Sequence, residues 1–317
     1  MSKQKQQPAL TPISYHPRSQ EHQELIEQAR RLEMLSIGFM ISVVTLMYLA
    51  SGNSQSMKTA LLEDVLSLIP PAAFLLGHRW SQKKPTPWFC FGFQRTVLIA
   101  YLTAAVALLG LGSFAVIDSA INLLTAHKPT LGSMVFQGQV VWQGWVMLVV
   151  LLYSAIPLVI LGHKKSKLAK KLGDDVLMAD AATNKADWMT GLAAAVGVIG
   201  LGFGIWWLDS VMALLIALDI VRDGTVYLKN AVGKLMDRAP SVVGDFDKPH
   251  PLIGKIREKI LQFGKGDLCE LRVRSLGRYV TGQAVVAGVS DFEEIKAMEE
   301  ALHEEFPELI NFVVTAC

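Results

Sequence analysis

About six stretches of this chain are long and apolar enough to cross a hydrocarbon layer, and that removes most folds from consideration. A layer about 30 Å thick needs roughly 20 mostly apolar residues per helix. Such stretches lie near Leu35–Ala50, Thr59–Gly77, Thr96–Leu124, Trp142–Gly162, Leu177–Trp206 and Leu208–Tyr227. The chain, 51% hydrophobic and only 18% charged, is too apolar for an ordinary soluble domain and reads as a polytopic α-helical membrane protein with six transmembrane helices. A net charge of +2 gives no basic face for nucleic acid, so membrane lipid is the expected surroundings.

Loop charges orient the spans. Arg79, Lys83, Lys84 and Arg95 lie between the second and third, and Lys164, Lys165, Lys167, Lys170 and Lys171 between the fourth and fifth; the opposite loops carry little beyond Lys58 and Lys128. By the positive-inside rule the lysine-rich loops and both termini are cytoplasmic. The polar N-terminal segment, residues 1–33, lacks an apolar run with a small-residue cleavage site, so the first span is expected to act as its own insertion signal. The expected location is the plasma membrane, the inner one in a bacterium.

After the helical region (34–229) and a linker (230–247), residues 248–317 read as a small soluble α/β domain with the order αββαβ. A helix is expected at Pro251–Phe263, strands at Cys269–Arg274 and Tyr279–Ala287, a helix at Phe292–Glu305 and a strand at Phe312–Thr315. Ile295, Met298, Leu302 and Phe306 form one apolar face of the second helix, as a helix covering a sheet requires. Three cysteines at wide spacing, Cys90, Cys269 and Cys317, give no disulfide framework. Cys269 and Cys317, on expected strands, read as buried structural thiols.

The chemistry concentrates in Ala179–Asp187, ADAATNKAD, at the mouth of the fifth span. On a helix Asp180, Thr183, Asn184 and Asp187 recur at spacings of three and four and share one face. They offer oxygen ligands only, which suits hard cations. An intramembrane acid is by default a functional candidate; the plainer reading of Asp180 is a solvated acid in a first helical turn. In the second span Asp64 and Ser67 precede Pro70-Pro71, which remove backbone donors at mid-span and form either a packing kink or part of a cation site. Asp219 in the sixth span must be paired, protonated or wet, with Arg222 and Asp223 within reach. Neither a GxSxG elbow nor HExxH is present, so no enzyme is expected.

From about Leu32 to the end, these motifs resemble the cation diffusion facilitator, or cation efflux, family. ADAATNKAD resembles its fifth-span motif, Trp207–Gly224 its sixth-span WLDP-type segment, and Leu61–Pro71 its second-span segment. Phe91-Gly92-Phe93-Gln94-Arg95 resembles the FGHGR-type start of the third span, Glu270–Val280 the DLRTRKSGR hairpin, and Glu304–Pro307 the closing EEFP. The resemblance implies six spans, a metallochaperone-like cytoplasmic domain, a homodimer and export of a divalent metal in exchange for protons. Carried over by position, the family's four intramembrane ligand places fall on Thr183, Asp187, Ser67 and Pro71, of which only Asp187 is the expected residue. A tetrahedral zinc site is therefore not expected. One reading is a transporter whose site is rebuilt from Asp64, Asp187, Asp180 and Asn184, with Thr183 and Ser67 beside them, taking Mn²⁺, Fe²⁺ or another hard cation as cargo and no resident cofactor. The other is a non-transporting regulatory or partner subunit that keeps the fold and dimer.

Overall fold

A computed structural model describes residues 20–51, 64–125, 133–136, 139–205, 207–263, 267–289 and 291–317. Lys58, Lys128 and the beginning of the expected second span lie outside these residues. Six helices stand where the apolar stretches are: α1 Gln20–Ser51, α2 Ile69–Ser81, α3 Arg95–Leu124, α4 Gln143–Leu172, α5 Asp175–Gly202 and α6 Leu208–Leu235. Two described segments, Arg95–Leu124 and Leu148–Leu172, are long and apolar enough by themselves to cross a membrane. In α5 and α6 acids and lysines interrupt the apolar runs, and α2 is only 13 residues long.

The second expected span is broken differently from expectation. Asp64–Leu66 make a helical turn, Ser67 and Leu68 are a non-helical turn, and α2 begins at Ile69. The two prolines therefore occupy the first turn of a new helix, where a missing N–H costs nothing, rather than interrupting one at mid-span. They still withhold the donors that the carbonyls of Leu66 and Ser67 would meet in a continuous helix. Between α3 and α4 a hairpin absent from the expected organisation pairs β1 Ser133–Phe136 with β2 Gln139–Trp142.

The lysine run Lys164–Lys171, expected as a loop, is instead the last two turns of α4. The chain turns at Gly173, whose φ of 66° is the left-handed geometry that ends helices. Asp174 Oδ1 then accepts from the N–H groups of Val176 (2.9 Å) and Leu177 (3.1 Å) and caps α5. With so short a connection α4 and α5 lie side by side, and that buries Lys165 completely.

By contacts the chain divides into two compact units, one comprising residues 24–75 and 100–233, the other 1–23, 76–99 and 234–317. In the helical unit Leu108 and Leu111 of α3, Ala186 of α5 and Ile220 of α6 form a buried cluster, with Leu66 and Tyr227 against it. Helices α3 and α6 meet nearly backbone to backbone: a Cβ on Gly112 would stand 2.9 Å from Val221 N, and one on Gly224 2.7 Å from Leu109 Cα. Beside them Asn230 donates to the buried Tyr101 hydroxyl (3.0 Å).

The other unit holds β3 Ser241–Val242 paired with β4 Asp245–Pro249, then α7 Pro251–Gln262, β5 Asp267–Leu276, β6 Tyr279–Ala287, α8 Phe292–Glu305 and β7 Leu309–Ala316. The sheet order is β5-β6-β7, antiparallel between β5 and β6 and parallel between β6 and β7. Ile256 and Ile260 of α7 and Met298, Leu302 and Phe306 of α8 close over Val280, Ala284, Val286, Phe312 and Val314, for α8 the amphipathic face expected of it. Asp291 caps α8 by accepting from Glu293 N (3.2 Å), and Glu299 Oε1 accepts from Val314 N (2.7 Å), fixing helix to strand. Cys269 and Cys317 are exposed, not buried. Cys269 sits at a register shift of the edge strand β5, and Cys317 lies just past β7. The Cys317 thiol beside it is the main influence holding the Cys269 thiol above the usual range.

Candidate metal site

Helix α5 carries the four residues of the ADAATNKAD face, and the structure divides them between two places. Asp187 lines a cavity of about 40 Å³ together with Asp64, Ser154 and Thr190, walled by Leu111 and Ile220. That is room for more than one water-sized sphere. Ser67, at the break before α2, donates to Asp187 Oδ1 at 2.7 Å. Its short length is that of a hydroxyl on a carboxylate. Two carboxylates from separate chain segments thus share one small polar space in an otherwise apolar wall.

Thr190 and Ser154 are the two polar cavity residues that spacing did not single out. Thr190 Oγ1 donates to the carbonyls of Ala186 (3.1 Å) and Asp187 (2.9 Å), and Ser154 Oγ to Leu151 O (2.9 Å). Their protons are spent within their own helices, leaving oxygen lone pairs as what they offer the cavity. Thr190 lies three residues beyond Asp187 on the same helix face, so extending the i, i+3 pattern by one step reaches it. Ser154 on α4 has no such signal.

Asp180, Thr183 and Asn184 do not line this cavity. Thr183 is buried with its hydroxyl donating to Ala179 O (3.2 Å). Asp180 is bonded to Lys165 of α4, whose ammonium also meets Glu33 Oε2 of α1 (2.9 Å) and Ser36 Oγ (2.9 Å). All three charged side chains of this triad are fully buried, so Asp180 is not a solvated acid of a first turn. Glu33 and Lys165 were hidden from sequence reasoning, one in a polar N-terminal segment and the other in an apparent loop.

Asp219 of α6 is paired, though not by its neighbour Arg222. Lys185 of α5 bridges Asp219 Oδ2 and Asp223 Oδ2, both at 3.2 Å. Partners on another helix are invisible to spacing within one helix, and Arg222 instead points outward and is exposed.

Among the described residues no group of three or more His, Cys, Asp or Glu side chains is placed to hold a metal ion. The cavity's chemistry is therefore two carboxylates supplemented by hydroxyls. Such a hard, all-oxygen set suits Mn²⁺, Mg²⁺ or Ca²⁺ better than it suits the thiolate- and imidazole-seeking metals.

The chain matches known proteins over most of its length. The family model described as the cation efflux transmembrane domain matches residues 33–236, a span that contains every residue of the cavity and of the triad. The chain is also 26% identical over 239 residues to the manganese efflux system protein MneS of Bacillus subtilis (strain 168), covering 75% of this chain and 76% of that one. With nearly two thirds of its length matched, the chain belongs to the cation efflux family, whose members are membrane-embedded metal cation transporters and not enzymes.

Proposed function

We propose that this protein exports a hard divalent cation, Mn²⁺ first among them, from the cytoplasm by alternating access, with Asp187 and Asp64 as the cargo's anionic ligands. The observation that carries the reading is the shared cavity: Asp64 from the broken second segment and Asp187 from α5 face one space, with Ser67 bonded to Asp187. Two carboxylates neutralise a divalent charge, and Ser67, Ser154 and Thr190 supply further oxygens toward the higher coordination that such cations take. Manganese is favoured over zinc by this donor set and by the likeness to a manganese efflux protein of Bacillus subtilis. The missing imidazoles leave the family's tetrahedral zinc arrangement without its soft ligands.

In this reading α1–α6 are the six spans, both termini are cytoplasmic, and the chain works as a homodimer. Among the described residues no histidine lines the cavity, and exchange of cargo for protons falls in this reading to Asp64 and Asp187 themselves. The break at Ser67–Leu68 lets the segment carrying Asp64 swing relative to α2 as access alternates. The test is Mn²⁺ uptake into inside-out vesicles. Asp187→Asn and Asp64→Asn should each abolish it, and wild-type flux should favour Mn²⁺ over Zn²⁺. Unchanged flux in both variants refutes the assignment, and a wild-type protein that moves no cation of a Mn²⁺, Fe²⁺, Mg²⁺ and Zn²⁺ panel points to a partner subunit.

A further inference from the structure

The triad of Glu33, Lys165 and Asp180 does not look like an ordinary structural ion pair. Two carboxylates face one ammonium in a fully buried cluster, so a single positive charge serves two acids. Buried ion pairs persist when their remaining lone pairs are satisfied. Here Glu33 Oε1 and Asp180 Oδ1 are buried with no hydrogen-bond partner among the described residues. One turn further along α5 the Asn184 side chain is also fully buried, and neither its amide oxygen nor its nitrogen is hydrogen-bonded.

These groups converge. Asn184 follows Asp180 by four residues and lies on the same face. Its Cβ is 3.4 Å from where a Cβ on Gly162 would stand, and Gly162 is one turn before Lys165 on α4, so Asn184 faces the same neighbour as Asp180. Ser36 follows Glu33 by one turn of α1, and its hydroxyl reaches the same ammonium at 2.9 Å. Lys165 Nζ is thus surrounded by oxygens from α1 and α5 as a bound cation would be, with three more polar oxygens left over.

We propose that Glu33, Ser36, Asp180 and Asn184 form a second cation seat for an oxygen-preferring divalent cation, in which the Lys165 ammonium is a placeholder that the cargo displaces. The charges favour this exchange. The ammonium offers the two acids one positive charge; a dication, with the lysine swung out on its flexible stem, offers two. When the dication leaves, the returning ammonium spares the two carboxylates from facing each other unpaired. The seat shares no residue with the Asp64–Asp187 cavity. Asp180 precedes Asp187 by seven residues, about 10 Å along one face of α5, so the seat is a staging point for the cargo. The inference rests on the reading that the protein handles a divalent cation.

Mn²⁺ titration of the full chain in detergent micelles, with free Mn²⁺ read by electron paramagnetic resonance, tests it. Wild type should bind two Mn²⁺ per chain. Asp187→Asn should leave one, Glu33→Gln or Asp180→Asn should leave the other, and Glu33→Gln with Asp187→Asn should leave none. Lys165→Met should tighten the second site at least about tenfold by removing the competitor, while Lys165→Arg, which keeps a cation, should not. A wild-type stoichiometry of one that Asp187→Asn abolishes overturns the proposal. So do two sites indifferent to both Glu33→Gln and Asp180→Asn, or a folded Lys165→Met protein of unchanged affinity. Should Lys165→Met not fold, Glu33→Gln and Asp180→Asn decide, since each keeps the ammonium with one carboxylate partner. The titration counts sites without needing flux, so a failure of the transport reading in vesicles remains separate from a failure of this one.

Discussion

Alanine in place of Gly224 would set a Cβ 2.7 Å from Leu109 Cα, 2.8 Å from Leu109 N and 3.0 Å from Leu109 Cβ. These atoms are fixed to the backbone of α3, so no rotamer change relieves the overlap. Carbon atoms in good contact stand about 3.5–4.0 Å apart, and α3 and α6 must therefore separate by about 1 Å over this contact. Overpacking of this kind costs about 1–3 kcal/mol, and the better helix propensity of alanine returns up to about 1 kcal/mol. The net expectation is a loss of about 0–2 kcal/mol, or roughly 0–8 °C in Tm for a unit of this size, and a deficit of about 1–3 kcal/mol against a glycine-to-alanine change that meets no overlap. Thermal unfolding of the full chain in detergent measures it. Gly110→Ala, on the facing helix α3 with nothing within 4 Å, should be neutral or stabilising. Gly112→Ala should behave like Gly224→Ala, and the double variant should cost less than the sum, because one separation of the helices relieves both overlaps. A Gly224→Ala protein as stable as Gly110→Ala would refute the backbone-to-backbone approach of α3 and α6.

Two further outcomes concern the α/β domain. Asp291→Ala removes the cap of α8 and should destabilise the domain by about 1 kcal/mol, read as earlier loss of protection of the α8 amides in hydrogen exchange on the full chain. The Cys317 thiol favours the neutral form of Cys269, raising its pKa; Cys317→Ala should lower it, so more thiolate is present at a given pH and iodoacetamide modifies Cys269 faster at pH 8. An unchanged rate would show that the two thiols do not interact.

Much of the architecture was legible because local chemistry and tertiary packing agree. Helix α8 has its expected bounds, since Asp291 starts it and Pro307 follows its end. Asp187 was visible as an acid in an apolar helix and Asp64 as an acid before a proline break; the structure places both on one cavity. What stayed hidden depends on partners from elsewhere in the chain. Lys165 sits among four other lysines, and only the tight turn at Gly173 packs its face of α4 against α1 and α5. Lys185 pairs Asp219 across two helices, and no spacing within either encodes that. Asp180 and Asp187 lie on one helical face yet serve different clusters, because seven residues of rise put them at different depths.

The helical continuation of α4 also changes how its other lysines meet their surroundings. Lys164, Lys167, Lys170 and Lys171 remain exposed, and a rigid helix holds them at fixed spacing where a loose loop would let them scatter. Each lysine near a membrane surface attracts anionic lipid by about 1 kcal/mol. Mounted on one element, such contacts would act together in the proposed orientation, and their combined pull would limit how far α4 slides along the membrane normal. The same lysine run that buries one ammonium in the protein can thereby moor the helix to the phosphate layer with the rest.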